Sequence, residues 1–129
     1  MRKPLRVLLL EDEEHDAELM VRELKRAGYD PDWKRVDSKA AYLEQLTHPH
    51  DVILSDNSMP GFSAIDALHH LRQQEIDLPF IIVSGSIGEE QAVALLHHGA
   101  ADYLMKDRPD RLGSAVAQAL EQKRLREDN

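Results

Sequence analysis

The sequence predicts an α/β fold, a parallel sheet of five strands alternating with five helices and covered on both faces. Three observations carry this. Short, continuous apolar runs of strand length recur along the chain, as at Leu5–Leu10, Asp51–Ser55 and Pro79–Val83. The segments between the strands place apolar residues at helical spacing. No internal repeat or low-complexity linker interrupts the alternation, so residues 1–129 read as a single domain. Parallel strands joined by right-handed crossovers leave all their carboxyl ends on one edge. Open α/β sheets bind their ligands at that edge.

Taken in order, Leu5–Leu10 is the first strand and runs into Glu11-Asp12-Glu13-Glu14. Ala17, Met20, Val21 and Leu24 form one face of the first helix, which Ala27-Gly28 closes with a glycine. The acids before it suit the positive end of the helix dipole. Trp33–Val36 is a weaker strand mixed with charge, expected at an edge. Ser38 caps a short helix carrying Ala40, Leu43 and Leu46, and Asp51–Ser55 follows as the third strand. Met59-Pro60-Gly61 stops that segment from continuing as strand or helix. Ser63 to Asp66 reads as a capping box for a helix with Ala64, Ala67, Leu68 and Leu71 inward. Pro79–Val83 is the fourth strand. Ser86 to Glu89 reads as a second capping box, before a helix whose expected apolar face is Ala92, Val93, Leu95 and Leu96. Asp102–Lys106 is the fifth strand. Pro109 lies in the first turn of a last helix bearing Leu112, Val116, Ala119 and Leu120.

Composition removes several function classes. With 129 residues, 42% apolar and 31% charged, the chain is an ordinary globular domain large enough for one core. A net charge of −8 disfavours direct binding to nucleic acid or to an anionic membrane surface. The absence of cysteine excludes disulfides, thiolate zinc sites and cysteine nucleophiles. Leu5–Leu10 is too short for a signal-peptide core and nothing approaches a membrane span, so a cytoplasmic location is expected.

Glu11 and Asp12, Asp56, Ser84 and Lys106 each directly follow a predicted strand, so the topology gathers them on one edge. Carboxylates so gathered repel one another and call for a cation. An oxygen-only cluster suits Mg²⁺ better than zinc. With the metal, Asp56 can act as a nucleophile toward phosphorus, since carboxylates form aspartyl phosphates. The Lys106 ammonium and the Ser84 hydroxyl could then neutralise the remaining phosphoryl oxygens.

At these residues the chain resembles the receiver domain of bacterial two-component response regulators, over essentially its whole length. Leu8-Leu-Leu-Glu11-Asp12 resembles the acidic pair, and Asp56-Asn-Ser-Met-Pro-Gly the phosphoacceptor with its Met-Pro-Gly signature. Ser84-Gly85 resembles the Thr/Ser-Ala/Gly pair, and Asp102-Tyr103-Leu-Met-Lys106 the aromatic switch position and the lysine. The resemblance implies a flavodoxin-like, doubly wound sheet of order 2-1-3-4-5. It implies phosphoryl transfer to Asp56 from a histidine kinase or phosphotransfer protein, with Mg²⁺ held by Asp12, Asp56 and the Ser58 carbonyl, and by Glu11 through water. It implies a switch through Ser84 and Tyr103, no enzyme activity beyond acceptance and hydrolysis of the phosphoryl group, and control of a downstream protein or covalent output domain. The face of the fourth helix, fifth strand and fifth helix is its candidate surface for pairing two copies. The family often has proline after its lysine, joined by a cis peptide. Here Asp107 follows, and a trans bond is expected.

Two other function classes compete. A haloacid-dehalogenase-type phosphatase also uses a strand-end Asp with Mg²⁺, but it wants a second acid two residues on, where this chain has Ser58. A pseudo-receiver scaffold would lack some chemical residues, and all are present. The pairs His69-His70 and His97-His98 read as solvated helix histidines, because adjacent helical residues do not share a face. Residues 121–129 contain no glycine or proline, and Glu121 to Glu127 are strong helix formers, so the last helix is expected to run on as a connector.

Overall fold

The computed structural model describes residues 1–85 and 88–128, without the side chains of Ser58 and Glu89. Five strands form the sheet: β1 (Lys3–Leu10), β2 (Tyr29–Val36), β3 (Val52–Ser55), β4 (Phe80–Ser84) and β5 (Asp102–Met105). The helices are α1 (Glu14–Arg26), α2 (Lys39–Gln45), α3 (Ala64–Gln73), α4 (Glu89–His97) and α5 (Leu112–Glu127). Every strand pairing in the sheet is parallel, and the order is β2-β1-β3-β4-β5, as expected.

The continuous apolar runs are explained by two-sided burial. Val7 and Leu9 of β1, Val52 and Leu54 of β3, and Ile81 and Val83 of β4 pack under α1 and α5. The alternate residues Leu8, Leu10, Ile53, Phe80 and Ile82 pack under α2, α3 and α4. A strand that feeds both layers at a period of two has no polar face to show. β2 lies at the sheet edge as predicted, but it begins at Tyr29 rather than Trp33. An edge position tolerates its charged residues and Pro31.

The helix boundaries follow local chemistry. Gly28 adopts φ +100° just past the Ala27 end of α1, a conformation that favours glycine. Ser38 Oγ accepts the Ala41 N–H, and Ser63 Oγ accepts the Asp66 N–H. The second expected box begins at Ser86 and Ile87, outside the described residues. The described helix starts at Glu89, with Gly88 extended before it. A single 3-10 turn, Pro109–Arg111, leads into α5. No cis peptide bond occurs among the described residues, so Lys106–Asp107 is trans as expected.

Several expectations need correction. Met-Pro-Gly does not merely stop the strand: Ser58–Met59 pairs antiparallel with Phe62–Ser63 in a small ribbon. Pro60 and Gly61 form its turn, and Gly61 at φ +71° supplies the positive φ that the second turn position of a type II turn requires. In α2, Ala40 is exposed and the helix is anchored by the buried Tyr42, whose hydroxyl donates to the Ala67 carbonyl at 2.8 Å. In α4 only Ala92 and Leu95 of the expected face are buried, while Val93 is 60% and Leu96 40% exposed. A nine-residue helix lying on a sheet buries a stripe narrower than its apolar content.

Candidate functional site

The strand registers bring the site together. Leu10 of β1 pairs with Ser55 of β3, so Glu11 and Asp56 leave the sheet side by side. Backbone bonds hold both exits: Asp56 N–H donates to the Leu10 carbonyl at 2.8 Å, and Glu11 N–H to the Val36 carbonyl at 3.0 Å. On the other flank Ser84 pairs with Met105, and Lys106 N–H donates to the Ser84 carbonyl at 2.9 Å. Asp56 is steadied by the Asn57 N–H, which donates to its Oδ1 at 2.7 Å. The Asn57 carbonyl accepts from Ala64 at 3.0 Å, fastening the ribbon to α3.

Carboxylate oxygens of Glu11, Asp12 and Asp56 lie within 4.8 Å of one another. The Lys106 ammonium faces this group, 2.6 Å from Glu11 Oε1 and 3.4 Å from Asp56 Oδ2. It also donates to Asp16 Oδ2 at 2.8 Å. Glu11 is wholly buried, and burial pushes its carboxyl above the ordinary value against the opposing pull of Lys106. Burial acts to lower the Lys106 pKa, but the bonds to Asp16 and Glu11 and the charge of Asp56 outweigh it and raise it. Glu11 Oε1 is thus ion-paired to the ammonium. Three carboxylates within 4.8 Å of one another, oxygen donors without any nitrogen or sulfur ligand among them, fit a hard cation such as Mg²⁺.

Ser84 is buried at the end of β4, on the same edge. Tyr103 stands on β5, half-buried against the layer of α2, α3 and α4. Ser58 opens the ribbon two residues beyond Asp56. Asp16, in the first turn of α1, was not singled out by the sequence, where it looks like one more acid favouring a helix start. Its one distinguishing mark is its place four residues after Asp12.

A family model described as the response regulator receiver domain matches residues 7–117. The chain belongs to that family. It is a receiver, the phosphorylation-activated switch module of response regulators. It is 33% identical over 124 residues to the C4-dicarboxylate transport transcriptional regulatory protein DctD of Pseudomonas aeruginosa, covering 92% of this chain and 26% of that protein. It is 33% identical over 102 residues to the cell cycle transcriptional regulator CtrA of Caulobacter vibrioides, covering 79% of this chain and 44% of that one. The receiver thus spans less than half the length of these relatives. The Francisella response regulator 1452 receiver domain superposes with a TM-score of 0.79 at 29% identity, covering 92% of this chain and 98% of the other. Among the described residues no helix is long and apolar enough to cross a membrane.

Proposed function

We propose that Asp56 accepts a phosphoryl group from a histidine kinase or phosphotransfer protein, and that this event changes the face formed by α4, β5 and α5. The observation that carries the reading is the convergence of three carboxylates within 4.8 Å, with the Lys106 ammonium beside them. An Asp56 carboxylate oxygen attacks phosphorus as the bond to the donor breaks, and an acyl phosphate results. Lys106 takes one phosphoryl oxygen and the Ser84 hydroxyl another. Asp12, Asp56 and the Ser58 carbonyl would hold Mg²⁺, with Glu11 reaching it through water, and the ion would supply the positive charge that lets these carboxylates stand beside a phosphoryl group.

As Ser84 moves toward the phosphoryl oxygens, Tyr103 turns into the space it leaves. The domain is no enzyme toward outside substrates, and hydrolysis of its own acyl phosphate resets it. Val93 and Leu96, exposed on α4, belong to the surface offered to a downstream protein, an output domain or a second copy. A net charge of −8 argues against direct contact with nucleic acid or an anionic membrane, and the working place is the cytoplasm. Of the expected connector at residues 121–129, the part through Glu127 is the end of α5 and serves as the helical link, and Asn129 lies outside the described residues.

Amide exchange with Mg²⁺ and beryllofluoride, a phosphoryl mimic, tests the switch. Protection should change in α4 and β5 as well as at Asp56, and Asp56→Asn should abolish all of it. Changes confined to residues 56–61 would overturn the switch.

A further inference from the structure

Three carboxylates share the Lys106 ammonium, and Asp56 is the worst served of them. Glu11 Oε1 is 2.6 Å away, Asp16 Oδ2 2.8 Å and Asp56 Oδ2 3.4 Å. An ammonium has only three N–H donors. Asp16 takes one at good hydrogen-bond distance, whereas the contact with Asp56 is long. Asp16 stands on α1 rather than at a strand end, and it is not one of the three acids that converge as a candidate metal cluster. Among the described residues its carboxylate makes a hydrogen bond and ion pair with Lys106 and none with Asp56. Its connection to the chemistry runs through Lys106.

We propose that Asp16 is a positioning residue that holds Lys106 back from Asp56 and thereby sets the rate at which the phosphoryl group is taken up. The inference rests on the reading of Asp56 as phosphoacceptor. In that reaction an Asp56 carboxylate oxygen forms the new bond to phosphorus, while the bond from phosphorus to the donor atom (an imidazole nitrogen of phosphohistidine, or the acetate oxygen of acetyl phosphate) breaks and its electron pair leaves with the donor. Negative charge on the phosphoryl oxygens has to be met by Lys106, which must first loosen its bond to Asp16. Neutralising Asp16 replaces a charge-assisted bond with an ordinary one, a difference that converts to about fivefold in rate.

Phosphoryl uptake from acetyl phosphate, with acetate as leaving group, is measured at saturating Mg²⁺. The chains compared are wild type, Asp16→Asn, Asp16→Glu, Lys106→Gln and the double variant Asp16→Asn/Lys106→Gln. Asp16→Asn should be about fivefold faster than wild type, and Asp16→Glu, which keeps the charge, within about twofold of it. The acceleration should vanish in the Lys106→Gln background. An Asp16→Asn rate equal to or below wild type overturns the proposal. So does an acceleration that persists without Lys106, because removing one negative charge would then explain it. Failure of the wild type to take up any phosphoryl group would instead remove the reading of Asp56 itself.

Discussion

The Lys106 ammonium faces Asp56 with Nζ 3.4 Å from Oδ2, a longer contact than it makes with Glu11 or Asp16. Strand register sets this arrangement. β1 and β3 end in step at Leu10 and Ser55, and β4 and β5 end in step at Ser84 and Met105. Among the described residues the Lys106 ammonium thus stands against three carboxylates at the edge, Glu11, Asp12 and Asp56, and a fourth, Asp16, on α1, so the balance there is negative.

The negative balance predicts a demand for a second cation. Asp12→Asn should weaken Mg²⁺ binding at least tenfold, about 1.4 kcal/mol, in isothermal titration. Without metal the variant loses one of these mutually repelling charges, so its thermal midpoint should equal or exceed that of wild type. An unchanged Mg²⁺ affinity would remove Asp12 from the ligand set.

The approach of α1 to α5 predicts an effect of opposite sign to helix propensity. A Cβ on Gly113 would lie 2.4 Å from the Cβ of Ala27. Gly→Ala in a helix ordinarily gains about 1 kcal/mol, whereas overpacking costs about 1–3 kcal/mol. Gly113→Ala should therefore destabilise in urea, and adding Ala27→Gly should recover part of the loss. A stabilised Gly113→Ala would contradict the packing described here.

A pH dependence follows from Asp51. Its carboxylate accepts the Arg6 backbone N–H at 2.7 Å and the guanidinium at 2.9 and 3.2 Å. The side-chain bond from Arg6 holds the Asp51 carboxyl below its usual range. A depressed folded-state pKa gives stability that is present above the ordinary carboxylate value of about 4 and is lost as pH falls through the folded value. Asp51→Asn should thus unfold more easily than wild type at neutral pH, with the gap closing below pH of about 4. A gap independent of pH would contradict it.

The end of α5 predicts a small effect. Past Glu121, among the described residues, the links to the domain body are the pair Arg126–Asp77 at 2.9 Å, with both side chains more than half exposed, and the charge of Lys123 acting on Asp51, while Leu125 is 49% exposed. Exposed pairs contribute little. Ending the chain at Glu121 should cost under about 1 kcal/mol in urea unfolding. A larger loss would show a tail that belongs to the core.

How much of this the sequence discloses depends on the kind of signal. The sheet was legible because Val7, Leu8, Leu9 and Leu10 are apolar without a break, which only two-sided burial explains. The edge was legible because each such run stops at a polar residue. Tyr42 was hidden because an aromatic residue in a short polar helix carries no mark of being its anchor. Val93 and Leu96 were misplaced because helical spacing fixes which residues share a face, not how wide a stripe the sheet covers. The ribbon was missed because Pro60-Gly61 signals a turn in any setting, and only the Met59–Phe62 pairing makes it a hairpin. Asp16 lies in the first helical turn, where acids are common for electrostatic reasons alone. Its contact with Lys106, 90 residues away in sequence, is a product of the fold.

The central claim is that Asp56 is the phosphoacceptor, and intact mass after incubation with acetyl phosphate tests it most directly. With Mg²⁺, the wild type should gain one phosphoryl group that hydroxylamine removes, as an acyl phosphate requires. Asp56→Asn, and wild type with the metal chelated, should gain none. A phosphoryl group that still appears on Asp56→Asn, or one that withstands hydroxylamine, would contradict the account.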